Sequence, residues 1–225
     1  MRPYVFINAA MSADGKISAY TRKQVSISGD HDLRRVDRLK CGADAVMVGI
    51  GTVLSDDPSL TVKREEFRKK RLNSGKDENP VRIVADSLAK TPVDADILRK
   101  GNGRRIILVS ESAPSGRVDG LRAAGAEIIT AGENQVDLTA ALEQLYDMGV
   151  RRLMVEGGGT LNWGLITQRL VDEVYVYVGN LILGGCSSPT LADGTGFPDC
   201  ENACLLELVS LEPMDAGFVV QWRVK

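Results

Sequence analysis

The feature that most constrains the fold is an alternation of short apolar runs with amphipathic segments. Runs rich in Val and Ile, bounded by Gly, Asp or Pro, predict strands at residues 4–10, 45–48, 82–85, 106–109, 127–130, 153–155 and 174–178. Apolar residues at three-to-four spacing predict helices at residues 30–40, 119–124, 137–148 and 161–170. This alternation predicts an α/β fold, with a largely parallel sheet flanked by helices.

Two further segments complete the predicted organisation. Residues 204–210 and 217–224 predict a closing antiparallel strand pair, with the turn at Glu212-Pro213-Met214-Asp215. The polar stretch 63–79 carries six basic residues between Lys63 and Arg71 and predicts an exposed excursion. With no internal repeat and no low-complexity linker, we expect a single domain over residues 1–225.

Composition limits the class of protein. The chain has 225 residues, of which 44% are hydrophobic, which is enough to fill a core. Apolar runs such as residues 106–109 are far shorter than the roughly 20 residues of a membrane helix, and the N-terminus lacks the layout of a signal peptide. These features predict a cytoplasmic protein. A formal net charge of −2 offers no overall field for nucleic acid.

Metal-ligating residues are sparse. Cys41, Cys186, Cys200 and Cys204 form no CxxC pair, and His31 is the only histidine, so we expect no metal site. A single histidine also makes a Ser-His-Asp triad difficult to assemble. Acid–base chemistry in this chain would therefore fall to Asp, Glu and Lys.

The stretch VEGGGTLNWG, residues 155–164, places an acid before three glycines at the start of a predicted helix. Backbone N–H groups after a strand, at the positive end of a helix, suit a phosphate. The stretch matches neither G-x-G-x-x-G nor the P-loop, and three glycines also suit a simple tight turn. Glu156 is a ligand-binding candidate because it follows a strand end, and its alternative is a loop acid or a helix N-terminal charge.

Two more segments carry polar residues after a predicted strand. In GIGTVLSDDPSLTVK, residues 49–63, a hydroxyl and two acids follow the glycines, which favours a ligand-binding loop, although Asp56 and Asp57 also suit an Asx-type turn. In NAAMSADGKI, residues 8–17, Asp14-Gly15 predicts an ordinary turn. Lys16 is a candidate functional residue only in combination with the other two segments.

Together these segments resemble the riboflavin-biosynthesis pyrimidine reductases, whose fold is that of dihydrofolate reductase. The resemblance rests on N-x-A-x-S-x-D-G-K, S-x-S-G-D-x-D-L-x-R, V-G-x-G-T-V-L-x-D-D-P-x-L-T-V, R-I-V-A-D-S and E-G-G-G-T-L-N-W, in the family's order over about residues 4–185. It implies that NADPH, with NADH as an alternative donor, delivers hydride to C1′ of a ribosylamino-pyrimidine 5′-phosphate. That chemistry needs orientation and proton management from the protein, and no metal.

The resemblance also implies roles for individual residues. Lys16, Asp56 and Glu156 would be catalytic, with Glu156 on the amino-pyrimidine edge. Lys40 and Lys63 would bind the 5′-phosphate, although Lys40 also suits a solvated helix-end cation and Lys63 the edge of a charged loop. The cofactor-binding set would be Ala10, Thr52, Asp56, Ser87, Gly157, Gly158, Gly159, Thr160 and Leu161.

The family implies a homodimer built through the late strands. The chain lacks the H-x-E and P-C-x-x-C signature of the zinc deaminase domain that precedes the bacterial reductases. This favours the 2,5-diamino-pyrimidinone as the substrate over the aminouracil. Dihydrofolate reductase and a non-enzymatic nucleotide-sensing module remain alternatives, because the fold alone does not define the substrate.

Overall fold

The computed structural model describes residues 1–22 and 25–225. Within them the chain forms nine strands, and the predicted α/β class with a mostly parallel sheet and a C-terminal antiparallel pair is confirmed. The strands are β1 (Tyr4–Met11), β2 (Ala45–Gly49), β3 (Val81–Ala85), β4 (Arg105–Val109), β5 (Glu127–Thr130), β6 (Arg152–Val155), β7 (Glu173–Val178), β8 (Leu206–Met214) and β9 (Gly217–Val224).

Seven helices lie within the same described residues. Each predicted helix and strand is present, with ends within four residues of the prediction. The helices are α1 (Asp30–Gly42), α2 (Ile50–Asp56), α3 (Glu65–Asn73), α4 (Asp96–Arg99), α5 (Ser115–Ala123), α6 (Leu138–Asp147) and α7 (Gly159–Thr167).

The chain divides into two compact units, of which the first comprises Met1–Tyr4 and Asp37–Met154. Its strands lie in the order β5-β4-β3-β2-β6. The pairs β2–β3, β3–β4 and β4–β5 are all parallel. Val46, Ile83 and Ile106 are fully buried, as expected for parallel strands that carry helices on their faces.

The second unit comprises Val5–Val36 and Val155–Lys225. Its strands lie in the order β1-β7-β9-β8, with β1 and β7 parallel and the last two pairs antiparallel. Strand β8 ends the sheet, and most of its nine residues are exposed.

The predicted loop at residues 49–63 is wrong for its first half, because residues 50–56 form α2. The helix starts directly after β2, and its apolar residue Val53 is buried. Asp57, in the left-handed region at φ 43°, ends the helix one residue before Pro58. Gly49 therefore precedes a short helix and Gly51 lies in its first turn, and the helix places Thr52 and Asp56 one turn apart on its surface.

Most of residues 63–79 are exposed, as predicted for this stretch, but it also holds a helix that was not predicted and two buried residues. The helix is α3, and Arg71 and Asn79 are only 3% and 2% exposed. The Arg71 guanidinium donates to the carbonyl oxygens of Cys41 and Ala43, at 3.0 and 2.7 Å. A basic residue can therefore be buried here because its hydrogen bonds are satisfied by backbone carbonyls.

The C-terminal turn lies later than predicted. Glu212, Pro213 and Met214 belong to β8, where Pro213 pairs with Phe218. A proline is tolerated because β8 is an edge strand. Asp215, at φ 51°, supplies the left-handed residue that the tight turn requires.

Candidate functional site

The glycine turn, residues 157–159, joins β6 to α7 in the second unit. Gly157 and Gly158 have φ values of 103° and 95°, which L side chains rarely adopt. A Cβ on Gly159 would lie 2.5 Å from Asp193 Oδ2 and 2.8 Å from the carbonyl oxygen of Thr190. The turn geometry alone accounts for all three glycines, so their contact with a ligand stays a prediction.

The helix that follows this turn leaves its first backbone N–H groups without a side-chain cap. Gly158 is the N-cap residue, and it has no side chain to accept a hydrogen bond. Thr160 is exposed, whereas Leu161 is buried in the core, so the Leu161 side chain is not available to a cofactor. Glu156 is half-buried directly before the turn.

Lys16 lies on a turn that follows β1. The hydroxyl of the buried Ser12 accepts from the Lys16 backbone N–H at 3.0 Å and donates to Asp14 at 2.5 Å. Asp14 also accepts from the backbone N–H groups of Leu183 and Gly184, at 3.1 and 2.7 Å. These hydrogen bonds, with that from Ser12 the largest influence, lower the pKa of Asp14 to about 2. The predicted Asp14-Gly15 turn is thus confirmed, and Asp14 ties it to the chain beyond β7.

Residues 188–193, which no sequence motif singled out, contact both this turn and the glycine turn. Lys16 Nζ donates to the carbonyl oxygen of Ser188 at 3.5 Å, and the backbones of Lys16 and Thr190 form an isolated antiparallel β-bridge. At the other end the Asp193 backbone N–H donates to the carbonyl oxygen of Gly159 at 3.0 Å. Asp193 Oδ1 accepts from the Thr190 hydroxyl at 2.6 Å. The sequence signal was S-P-T-L-A-D, whose short polar residues favour local turns.

The predicted cofactor residues of the first unit lie beyond two neighbouring strand ends. Gly49 pairs in parallel with Ala85, so Thr52 and Ser87 follow the same edge of the sheet. Thr52 is half-buried and Asp56 is exposed on α2. The Ser87 hydroxyl accepts from the Val136 backbone N–H at 3.0 Å and keeps its own hydrogen to donate. In the second unit, the predicted cofactor residue Ala10 is half-buried on β1.

The structure brings the two predicted phosphate lysines close together. Lys40, in the last turn of α1, is only 8% exposed, so the alternative of a solvated helix-end cation is wrong. Lys63 is more exposed, and its Nζ donates to the Ser59 hydroxyl at 2.6 Å. Burial lowers the pKa of Lys63, and the positive charges of Lys40 and then Lys100 lower that pKa further. Crowded cations of this kind favour an anionic ligand.

The chain belongs to the family of the RibD C-terminal domain, whose pattern matches residues 3–220. Its relatives include the 2,5-diamino-6-ribosylamino-4(3H)-pyrimidinone 5′-phosphate reductases of Archaeoglobus fulgidus, 50% identical over 99% of both chains, and of Methanothermobacter thermautotrophicus, 46% identical over 100% of both.

Solved structures confirm the fold. A pyrimidine reductase-like protein from Corynebacterium diphtheriae superposes with a TM-score of 0.84 at 17% identity, covering 99% of this chain and 92% of its own. The fold is therefore that of the dihydrofolate-reductase-like pyrimidine reductases. No helix among residues 1–22 and 25–225 combines the length and apolar character needed to cross a membrane.

Proposed function

We propose that this protein reduces the ribosyl group of 2,5-diamino-6-ribosylamino-4(3H)-pyrimidinone 5′-phosphate to the ribitylamino product, with NADPH as the electron donor. The observation that carries the proposal is 50% identity over 99% of both chains to a reductase of that name. The adjacent Lys40 and Lys63 suit a substrate that carries a phosphate.

The glycine turn fits a nicotinamide dinucleotide. Gly157 and Gly158 keep the backbone bare at the start of α7, where N–H groups without a side-chain cap can meet a diphosphate. Asp193 also lies there, against Gly159, and its carboxylate suits a hydroxyl group better than a phosphate. We therefore assign the backbone of the glycine turn to the cofactor. Ala10, Thr52, Asp56 and Ser87 are proposed as cofactor residues on the family resemblance alone. When bound, NADPH supplies the hydride.

Glu156 and Lys16 are the residues that we assign to the pyrimidine. An ionised carboxylate only accepts hydrogen bonds, so Glu156 suits the amino and ring N–H donors of a diamino-pyrimidine. Lys16 is half-buried, its backbone N–H donates to Ser12, and its ammonium group lies 3.5 Å from the carbonyl oxygen of Ser188. The two ammonium donors that do not face Ser188 suit the sugar hydroxyls or the carbonyl group, and Asp56 would assist in proton transfer.

A reductase for the aminouracil, and a dihydrofolate reductase, are the competing functions. NADPH oxidation should be followed with purified protein and each of three substrates: the diamino-pyrimidinone phosphate, the aminouracil phosphate and dihydrofolate. We expect the first to give the highest kcat/KM. A folded protein that oxidises NADPH with neither pyrimidine would overturn the proposal.

We further propose a homodimer that forms through β8. Leu206, Leu208 and Leu211 on this edge strand are 41%, 53% and 56% exposed, and an exposed apolar edge strand favours pairing with another chain. Sedimentation of the wild type and of Leu208→Lys tests this, with the variant expected to shift toward monomer.

The family match over residues 3–220 includes parts of both units and supports the prediction of one reductase domain. The cytoplasmic location stays a prediction that cell fractionation tests.

A further inference from the structure

The loop of residues 100–103 packs against the segment that carries Lys63. A Cβ on Gly101, where φ is 69°, would lie 2.7 Å from Thr61 Cγ2, so the loop backbone lies directly against the Thr61 side chain. The buried Asn79 bridges them: its Oδ1 accepts from the Val62 backbone N–H at 2.9 Å, and its Nδ2 donates to the carbonyl oxygen of Asn102 at 3.1 Å. Lys63 directly follows one side of this bridge, and Lys100 begins the loop on the other.

Buried charged side chains hold the backbone at each of three lysines. Arg71 Nη1 donates to the carbonyl oxygen of Lys40 at 3.2 Å. At Lys63, Asp37 accepts from the backbone N–H at 2.9 Å. Arg82 Nη1 donates to the carbonyl oxygen of Lys100.

The three side chains that supply these hydrogen bonds are between 0% and 4% exposed. Such buried groups have few alternative partners, so their hydrogen bonds hold the backbone firmly. The lysine ammonium groups are therefore carried on a preorganised frame.

The charges around this frame leave a positive excess. Asp37 uses both carboxylate oxygens on backbone N–H groups, those of Lys63 and Arg64. Asp96 forms an ion pair with Lys100 Nζ, whose ammonium group has two further donors. The Lys100 side chain is 62% exposed, so it can reach a ligand from solvent.

We propose that Lys100 is a third phosphate-binding residue beside Lys40 and Lys63, and that Asn79 is the positioning residue that holds it there. The inference rests on the proposed function for its ligand, the phosphate monoester of the substrate. Lys100 lies outside all five motifs on which the family resemblance rests. The matched control is Arg99, an exposed cation one residue earlier, at the end of α4.

The test titrates inorganic phosphate into the wild type, Lys100→Ala and Arg99→Ala, with binding followed by calorimetry. We expect Lys100→Ala to raise the Kd by about three- to tenfold, as for one charge contact in a partly exposed site, and Arg99→Ala to leave it unchanged. Lys100→Arg should retain most of the affinity because it keeps the charge. Equal affinities for Lys100→Ala and the wild type, or no phosphate binding by the wild type, would overturn the proposal.

The positioning role has its own test. Asn79→Ala removes both hydrogen bonds of the bridge without adding a charge, so it should weaken phosphate binding less than Lys100→Ala does. Adding Lys100→Ala to Asn79→Ala should then cost less than Lys100→Ala alone, because the lysine is already displaced. Additive effects would contradict the positioning role. These titrations need no turnover, so they give a result even for a protein that reduces neither pyrimidine.

Discussion

The lysine cluster of the first unit and the glycine turn of the second differ in construction, and in the proposed function each binds a charged ligand. Around Lys40, Lys63 and Lys100, long side chains carry the charge and buried groups hold their backbone. At Gly157 and Gly158 side chains are absent, and positive φ angles shape the backbone itself. Substituting one lysine removes one charge and leaves the other two in place. Substituting a glycine of the turn adds a side chain that disturbs the backbone geometry itself. The two regions should therefore respond differently to substitution.

The largest effect is expected at the acid that opens the glycine turn. Glu156→Gln keeps the shape but replaces an acceptor-only carboxylate with an amide, so pyrimidine N–H donors lose a charged partner. We expect kcat/KM to fall by about 100-fold, equivalent to about 3 kcal/mol, as steady-state kinetics would measure. NADPH affinity should stay close to that of the wild type. Wild-type turnover and KM in this variant would show that Glu156 is only a loop residue.

Gly158→Val probes the glycine turn directly. At φ 95° a β-branched residue is strained, and its side chain would obstruct close approach of a dinucleotide. We expect the Kd for NADPH to rise by about 30-fold, or about 2 kcal/mol, in a fluorescence titration, with a smaller change for the pyrimidine.

Gly116→Val is the matched control for this variant, because Gly116 has no positive φ and a Cβ there meets nothing within 4 Å. Its Kd for NADPH should equal that of the wild type. An unchanged Kd in Gly158→Val would remove Gly158 from the cofactor site.

Lys63→Ala probes the lysine cluster. Loss of one charge-assisted contact should raise the KM for the 5′-phosphorylated substrate by roughly tenfold, or about 1.4 kcal/mol, and Lys40→Ala should behave likewise. The effect should shrink as salt is added, since screening weakens charge contacts. If a dephosphorylated substrate loses as much as the phosphorylated one, these lysines do not bind phosphate.

The smallest effect is expected at Asp14, which acts through hydrogen bonds alone. Its pKa is about 2 in the folded protein against an ordinary 3.8, so the stability that its carboxylate provides is present above about pH 4 and is lost as the pH falls toward 2. Thermal unfolding should give Asp14→Asn a lower Tm than the wild type at neutral pH. The gap should narrow as the pH drops below about 4. A gap that stays constant with pH would show that the Asp14 charge has no part in the turn.

The strands and most helices could be predicted from apolar periodicity and turn residues. Features that depend on contacts between residues distant in the sequence could not be predicted. The strands and the main helices follow from apolar spacing. The family motifs predicted that Lys40 and Lys63 serve the same ligand, and in the structure the charge of Lys40 acts on Lys63. Helix α3 was missed because its stretch is rich in charge, and only the tertiary carbonyl partners of Arg71 explain its burial. Residues 188–193 were missed for the same reason, since their contacts with Lys16 and Gly159 join distant parts of the sequence.

Transfer of deuterium from NADPH to the product tests the proposed reduction most directly. Purified protein would be incubated with the diamino-pyrimidinone phosphate and NADPH carrying deuterium at the transferred position, and the product examined by mass spectrometry and NMR. We predict a ribitylamino product with one deuterium at C1′, and about 100-fold less of it when Glu156→Gln is assayed over the same short time at low substrate concentration. A folded wild-type protein that forms no such product, or a product without deuterium at C1′, would contradict the account.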